Sequence, residues 1–224
     1  MDKQKVRERI LEIGIVPVVR ASSPKEARMA AEAVCEGGIS IVEITMTVPG
    51  AVEVIRELAK SAGTEILVGA GTVLNAEMAR RCVEAGAEFL VSPGFHRGMV
   101  EFAVREGKLV MAGALSPTEV ITAWEAGADF VKVFPCGLVG GAKYIKALRG
   151  PLPHIPLVPT GGVNLETAGE FIAAGAAALG VGGELLSAEA LKAGRTEIIV
   201  EGARRFLGVV RGARTKLAAG AGQR

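Results

Sequence analysis

The feature that most constrains this chain is a strand–helix unit that repeats eight times along it. Short runs rich in β-branched residues alternate with segments of helical periodicity, and several of these segments end in similar turns such as "EAGAE" and "EAGAD". Strands that alternate with helices predict a parallel sheet, and eight units in about 200 residues predict an α/β fold closed into a (β/α)8 TIM barrel. The predicted strands are 15–20, 39–45, 65–71, 87–92, 108–113, 128–134, 155–160 and 176–182.

Helix boundary signals support this interpretation. Ser23 and Ser116 stand at N-cap positions, each followed by a proline in the first turn, and Asn164 begins a further helix. An open doubly wound sheet is the alternative, but no G-x-G-x-x-G motif opens a helix after a strand. Glycines in the left-handed conformation are expected to end four helices, at Gly38, Gly86, Gly127 and Gly175.

The chain is predicted to form one domain. Residues 1–213 are assigned to the barrel, including a short N-terminal helix in which Val6, Ile10 and Ile13 share one face. Residues 214–224, which end in "AAGAGQR", are predicted to be a flexible tail. No segment approaches the roughly 20 apolar residues that a membrane span requires, and the charged N-terminus does not resemble a signal peptide.

Composition narrows the classes of partner. A formal net charge of +2 and an aromatic content of 4% provide neither a basic surface nor stacking residues for nucleic acid. The three cysteines, Cys35, Cys82 and Cys136, form no CxxC pair and lie far from both histidines in the sequence. This pattern predicts no metal site and no disulfide framework, and it favours a reducing, cytoplasmic location.

One lysine stands where lysine is rarely found. Lys132 lies between apolar residues near the C-terminal end of the predicted strand 128–134. Catalytic groups of TIM barrels lie at these strand ends, and a desolvated amine that has lost its proton can attack a carbonyl to form a Schiff base. The alternatives are a lysine paired with a buried carboxylate, or an incorrectly assigned strand.

Candidate partners for this lysine stand at the ends of other predicted strands. Alternation along the second strand places Glu43 on the inward face, where it is either a proton-transfer group or merely the ion-pair partner of Lys132. Thr72 follows the third strand, where backbone N–H groups suit a carboxylate. Pro93 follows the fourth strand, either as a substrate-binding residue or as part of a turn.

Two glycine pairs follow the last two predicted strands. Gly161 and Gly162 belong to "PTGGV", and Gly182 and Gly183 belong to "GVGGE". Barrels commonly bind phosphate with these two loops, because glycine lets an oxyanion approach the backbone closely. Neither loop contains lysine or arginine, so backbone amides and a helix N-terminus must attract the phosphate. Glycines that end strands for steric reasons are the alternative.

Taken in order, these residues resemble the 2-keto-3-deoxy-6-phosphogluconate (KDPG) aldolase family, which also includes 4-hydroxy-2-oxoglutarate (KHG) aldolases. The resemblance covers nearly the whole chain, from about Pro17 to Leu186. The matching motifs are "PVVR", "VEITMT", "GAGTVL", "SPG", "FVKVFP", "VPTGGV" and "GVGGELL".

The resemblance implies a homotrimeric class I aldolase with a TIM-barrel fold and neither metal nor cofactor. Its reaction would be the reversible cleavage of KDPG, and also of KHG, to pyruvate and an aldehyde. It implies that Lys132 forms the Schiff base and that Glu43 is the general acid/base. It further implies that Thr72 binds pyruvate, that Phe134 and Thr160 shape the aldehyde side, and that the glycine loops hold phosphate.

Position 47 departs from the family pattern. Some members carry an arginine there that helps to bind the pyruvate carboxylate, and Thr47 cannot supply that charge. Arg20, at the end of the first predicted strand, is the candidate replacement.

The residues alone leave two other functions open. A phosphate-binding isomerase or epimerase on the same barrel would explain the glycine loops but would give Lys132 no covalent role. A non-catalytic oligomeric or ligand-binding barrel would explain neither Lys132 nor Glu43 as simply.

Overall fold

Eight parallel strands form the centre of the protein, which a computed structural model describes for residues 1–61 and 65–221. The strands are β1 (Ile15–Val19), β2 (Ile41–Thr45), β3 (Leu67–Gly71), β4 (Phe89–Val91), β5 (Leu109–Ala114), β6 (Phe130–Val133), β7 (Leu157–Pro159) and β8 (Leu179–Val181). Neighbours follow the order of the chain from β1 to β7, and β8 pairs with β1. A parallel bridge between Thr160 and Gly180 joins the ends of β7 and β8 and closes the barrel.

The predicted (β/α)8 barrel is therefore confirmed, and the open doubly wound sheet is excluded. Each strand lies close to its predicted range. Most are shorter than predicted, although single interstrand hydrogen bonds extend past their ends, such as the bond from the Glu88 N–H to the Val68 carbonyl at 2.9 Å.

Helices cover the outside of the barrel. Ser23 accepts a hydrogen bond from the Glu26 backbone at the start of one helix, and Ser116 forms a capping box with Glu119 at the start of another. All four glycines predicted to end helices have φ between +95° and +105°. The helices are α1 (Lys3–Ile13), α2 (Pro24–Glu36), α3 (Ala51–Ser61), α4 (Ala76–Glu84), α5 (Arg97–Arg105), α6 (Pro117–Glu125), α7 (Ala142–Arg149), α8 (Ala168–Ala173), α9 (Ala188–Lys192) and α10 (Thr196–Ala221), with a 3-10 helix at Cys136–Val139.

The strands alternate between two apolar layers. Outward residues such as Val42 and Ile44 pack beneath the helices, and inward residues such as Ile41, Phe89 and Phe130 fill the barrel. Helix α1 closes the N-terminal end of the barrel, where its apolar face joins the inward layer. Burying one such aliphatic side chain stabilises the fold by about 1.5–3 kcal/mol. The buried polar side chains of the described residues lie toward the opposite end of the barrel, at the C-terminal halves and ends of the strands.

The C-terminal boundary differs from the prediction. Helix α10 continues to Ala221, eight residues past the boundary predicted at 213. The Arg214 guanidinium donates hydrogen bonds to the backbone carbonyls of Leu11 and Glu12 in α1, at 2.7 and 2.6 Å. This contact fastens the helix to the barrel, whereas the alanine- and glycine-rich sequence suggested a loose end. Residues 222–224 of the predicted tail lie outside the described residues. Within the part of the chain that the structure describes, no helix is both long and apolar enough to cross a membrane.

Candidate active site

Two opposed strands bring the predicted catalytic residues together at the C-terminal mouth of the barrel. Glu43 in β2 and Lys132 in β6 are four strands apart, so their side chains reach inward from opposite walls. Glu43 Oε1 lies 3.8 Å from Lys132 Nζ, and these side chains are only 3% and 5% exposed. The ion pair between Lys132 and a buried carboxylate, which the sequence left open as an alternative to a catalytic lysine, is therefore present. It lies at the C-terminal ends of the strands, where TIM barrels place their catalytic groups.

The Glu43 carboxyl is held in a way that suits proton transfer. Burial raises its pKa, and the positive charges of Lys132 and, less strongly, Arg20 oppose that rise. Oε1 has no hydrogen-bond partner among the described residues, and 3.8 Å to the Lys132 amine is too long for a hydrogen bond. A carboxyl with a raised pKa and an unpaired oxygen can take up and return a proton.

The Lys132 side chain is buried inside the barrel and is only 5% exposed. The amine lies 5.7 Å from the centroid of the Phe134 ring, a distance at which the ring face attracts a cation. Within residues 1–61 and 65–221, Glu43 is the carboxylate that comes within ion-pair distance of Nζ. The strand assignment that placed Lys132 inside the barrel is therefore correct.

Arg20 and Thr47 lie at the rim of the mouth, above the buried pair. Arg20 is exposed just after β1, and its guanidinium lies beside Gly182. The Thr47 hydroxyl lies 2.6 Å from that of Thr45, which in turn donates to the Val19 carbonyl at 2.8 Å. Because the Thr45 proton is already used, Thr47 must donate to Thr45 and presents only lone pairs to the mouth. Arg20 is therefore better suited than Thr47 to hold a carboxylate.

Thr72 and Pro93 follow β3 and β4 at the same rim. Thr72 is half-buried and has φ +56°, a left-handed conformation that is unusual for a β-branched residue and that often marks functional sites. Pro93 is half-buried, and the peptide joining it to Gly94 packs directly over Gly113 of β5. Both predicted residues are thus at the mouth, and Pro93 also shapes the turn there, as the alternative proposed.

Phe134 and Thr160 form the opposite side of the mouth. Thr160 is buried, and its backbone N–H donates to the Val133 carbonyl at 3.0 Å while its carbonyl accepts from the Cys136 N–H at 2.9 Å. These bonds fasten the segment after β7 to the segment after β6. Phe134 is half-buried and lies next to Gly161. The two side chains predicted for the aldehyde side therefore lie on neighbouring strand ends.

The two glycine pairs differ in conformation. Gly161 and Gly162 have φ values of +85° and +78°, which favour glycine, and Gly162 also packs against Gly137. Gly182 and Gly183 have no such φ, and a side chain at Gly183 would meet nothing within 4 Å. Within the described chain, the N–H groups of Gly162, Gly182 and Gly183 have no backbone hydrogen-bond partner. The turn after β7 therefore requires glycine at Gly161 and Gly162, whereas the loop after β8 does not require it by its backbone conformation. Both loops carry backbone N–H groups that could bind an anion.

Three inward-facing glycines lie against predicted site residues, and the sequence motifs did not predict these contacts. Gly71 lies against the Glu43 carboxyl, Gly113 beneath Pro93, and Gly180 against the Thr160 hydroxyl. The alternation of each strand could have identified them, since each stands in phase with the inward residues of its own strand.

In the part of the chain that the structure describes, neither a reactive cysteine nor a metal-binding group adds to the candidate active site. Burial raises the pKa of both the Cys82 and Cys136 thiols to about 11, so neither is a ready nucleophile. Among residues 1–61 and 65–221, no group of three His, Cys, Asp or Glu side chains is arranged to hold a metal ion.

Comparison with known proteins finds aldolases both among family models and among individual relatives. The family model described as "KDPG and KHG aldolase" matches residues 6–201. A 2-dehydro-3-deoxy-phosphogluconate aldolase of Treponema pallidum is 36% identical over 166 residues, which are 74% of this chain and 79% of the relative. A 2-dehydro-3-deoxy-6-phosphogalactonate aldolase of Escherichia coli is 35% identical over 175 residues, 78% of this chain and 85% of the relative.

A solved structure of similar fold contains a bound ligand. The KDPG aldolase from Legionella pneumophila, with pyruvate captured as a covalent carbinolamine, is 28% identical and has a TM-score of 0.82. The match covers 88% of this chain and 96% of that chain.

Proposed function

The chain belongs to the KDPG and KHG aldolase family of class I, Schiff-base-forming carbon–carbon lyases, and we propose that its own reaction is the reversible cleavage of KDPG to pyruvate and glyceraldehyde 3-phosphate. The observation that carries this proposal is the buried pair of Lys132 and Glu43, 3.8 Å apart at the strand ends. An isomerase or epimerase would leave this pair without a role, and a non-catalytic barrel would bear its desolvation cost without return.

Lys132 is the proposed nucleophile. Its amine passes a proton to Glu43 and then attacks the C2 carbonyl of the keto acid to form a carbinolamine. Loss of water, with a proton supplied by Glu43, leaves a protonated imine on Lys132. The imine carbon is then an electron acceptor attached directly to C3. No cofactor is required in this scheme, because the protein's own amine supplies the acceptor.

Glu43 is the proposed proton carrier for the bond-breaking step. As carboxylate it takes the proton of the C4 hydroxyl, and the C3–C4 electrons move into the imine to give an enamine and the aldehyde. Protonation of the enamine at C3 restores the imine, and addition of water then releases pyruvate and frees Lys132. The unpaired Oε1 and the raised pKa of Glu43 suit a group that must accept and donate in turn.

The rim residues orient the substrate in this proposal. Arg20 and the backbone near Thr72 hold the pyruvate carboxylate, since a guanidinium can bind a carboxylate through two N–H groups. Thr47 contributes a hydrogen-bond acceptor and no charge. Pro93, Phe134 and Thr160 border the aldehyde end.

The glycine loops support a phosphorylated substrate. The N–H groups of Gly162, Gly182 and Gly183 are available to phosphate oxygens, and glycine allows the close approach that such bonds require. KHG carries no phosphate and would leave these groups unused. We therefore place KDPG ahead of KHG as the substrate.

The experiment that tests the chemistry is reductive trapping. Sodium borohydride added with pyruvate should reduce the imine and leave a stable pyruvyl adduct on the peptide that contains Lys132, identified by mass spectrometry. Lys132→Ala should abolish both the adduct and turnover. Lys146→Ala, which removes an exposed lysine of α7, should change neither. An adduct that persists in Lys132→Ala, at another lysine, would refute the assignment.

A further inference from the structure

The Glu43 carboxyl occupies a space that exists because residue 71 lacks a side chain. Gly71 is the last residue of β3 and pairs in register with Thr45 of β2. A Cβ atom at position 71 would overlap Glu43 Oε1 and would lie 2.5 Å from Cδ and 2.6 Å from Cγ. Real Cβ atoms essentially never come closer than 3.0 Å to another heavy atom. A methyl group at position 71 would therefore displace the carboxyl.

The backbone conformation at position 71 does not require glycine. Gly71 is absent from the residues with positive φ, so alanine can adopt its conformation. Its carbonyl accepts a hydrogen bond from the Met46 N–H at 2.8 Å, and alanine would keep this bond. The three atoms nearest to an added Cβ all belong to Glu43. The severe overlap that Gly71→Ala would introduce is therefore with the Glu43 side chain.

We infer that Gly71 is a positioning residue, whose missing side chain seats the Glu43 carboxyl against the Lys132 amine. Two other inward glycines have the same relation to site residues, Gly113 to Pro93 and Gly180 to Thr160. A Cβ at Gly113 would overlap backbone atoms of Pro93 and Gly94, which cannot rotate away as a side chain can. Gly71 meets a side chain that can rotate, so its substitution moves a catalytic group without removing it. The kinetic part of this inference rests on the proposed function.

Gly71→Ala should lower kcat while leaving the KM for pyruvate nearly unchanged. A misplacement of about 1 Å in a reacting group can cost about 10²-fold in rate, and kcat is expected to fall by about that factor. Borohydride trapping at Lys132 should persist, because the nucleophile itself is not displaced. Gly208→Ala is the matched control, since a Cβ at that helical position meets nothing within 4 Å. An unchanged kcat in Gly71→Ala would overturn the inference.

A double-mutant cycle with Glu43→Ala separates positioning from a general structural defect. If Gly71 acts through Glu43, adding Gly71→Ala to Glu43→Ala should lower neither kcat nor the thermal midpoint further. Should Gly71→Ala alone fold poorly, Glu43→Ala should restore its folding by removing the clashing carboxyl. Equal losses in both backgrounds, or folding that Glu43→Ala does not restore, would overturn the inference. The thermal midpoints test the contact even if wild-type protein shows no KDPG cleavage, an outcome that would refute the proposed function alone.

Discussion

Replacing Lys132 with methionine removes the ammonium charge from the barrel while keeping a long apolar side chain. In the wild type, burial raises the pKa of Glu43, and the Lys132 charge is the larger of two charges that oppose the rise. Lys132→Met should therefore raise this pKa further above the ordinary value of 4.5. The folded protein then holds a proton that the unfolded chain releases, so its stability falls as the pH increases from the unfolded to the folded pKa.

The size of the effect follows from the burial of the pair. With side chains only 3% and 5% exposed, solvent screens little of the interaction. A single carboxyl changes the free energy of unfolding by at most about 1.4 kcal/mol per pH unit. Between pH 5 and pH 7 the penalty should therefore grow by up to about 2.7 kcal/mol, or about 8 °C in Tm for a chain of this size.

Urea unfolding of Lys132→Met and of Lys132→Met/Glu43→Gln measures this penalty directly. Both variants lack the lysine and differ only in whether residue 43 titrates. At pH 5 their free energies of unfolding should be similar, and at pH 7 the double variant should be the more stable. A difference between the two that stays constant from pH 5 to pH 7 would refute the argument that Glu43 is desolvated.

Three further predictions concern activity. Glu43→Gln should lower turnover by about 10² to 10⁴ while pyruvate is still trapped slowly; a loss below tenfold would make the residue a structural partner only. Arg20→Ala should raise the KM for pyruvate in the condensation direction about tenfold or more, because it removes a charged hydrogen bond. The control Arg80→Ala, which changes an exposed residue of α4, should leave this KM unchanged. A KM in Arg20→Ala equal to that of the wild type would show that Arg20 does not bind the carboxylate. Gly183→Val, whose Cβ would meet no atom within 4 Å, should lower kcat/KM for KDPG more than for KHG; equal losses would contradict phosphate binding at this loop.

The sequence predicts the barrel and the inward direction of Glu43 and Lys132 well, because both follow from periodicity. Alternation with period two determines which face of a strand a residue occupies, and eight strand–helix units favour closure. The 3.8 Å separation of the two side chains does not follow, since it depends on the width of the closed barrel and on two strands far apart in the chain.

Contacts between distant segments explain the remaining differences. The space for Glu43 comes from Gly71 on the neighbouring strand, and a glycine in a motif does not reveal which side chain will occupy its place. Near the C-terminus, Arg214 of α10 donates hydrogen bonds to carbonyls about 200 residues earlier in the chain. Local composition carries no record of such a partner, so it does not predict that α10 continues to Ala221.

Helix α1, which seals the N-terminal end of the barrel, also sets the sequence of events in the proposed reaction. Val6 and Ile10 fill that end with apolar atoms, so substrate and products must pass Lys132 through the mouth at the opposite end. After cleavage the aldehyde lies between the mouth and the pyruvate that is still bonded to the lysine. Water can replace the aldehyde only once it has left, so in the proposed reaction we expect pyruvate to be the last product released. In the synthetic direction of the proposed reaction we therefore expect pyruvate to bind first, and we expect an excess of aldehyde to inhibit condensation by filling the passage before pyruvate arrives.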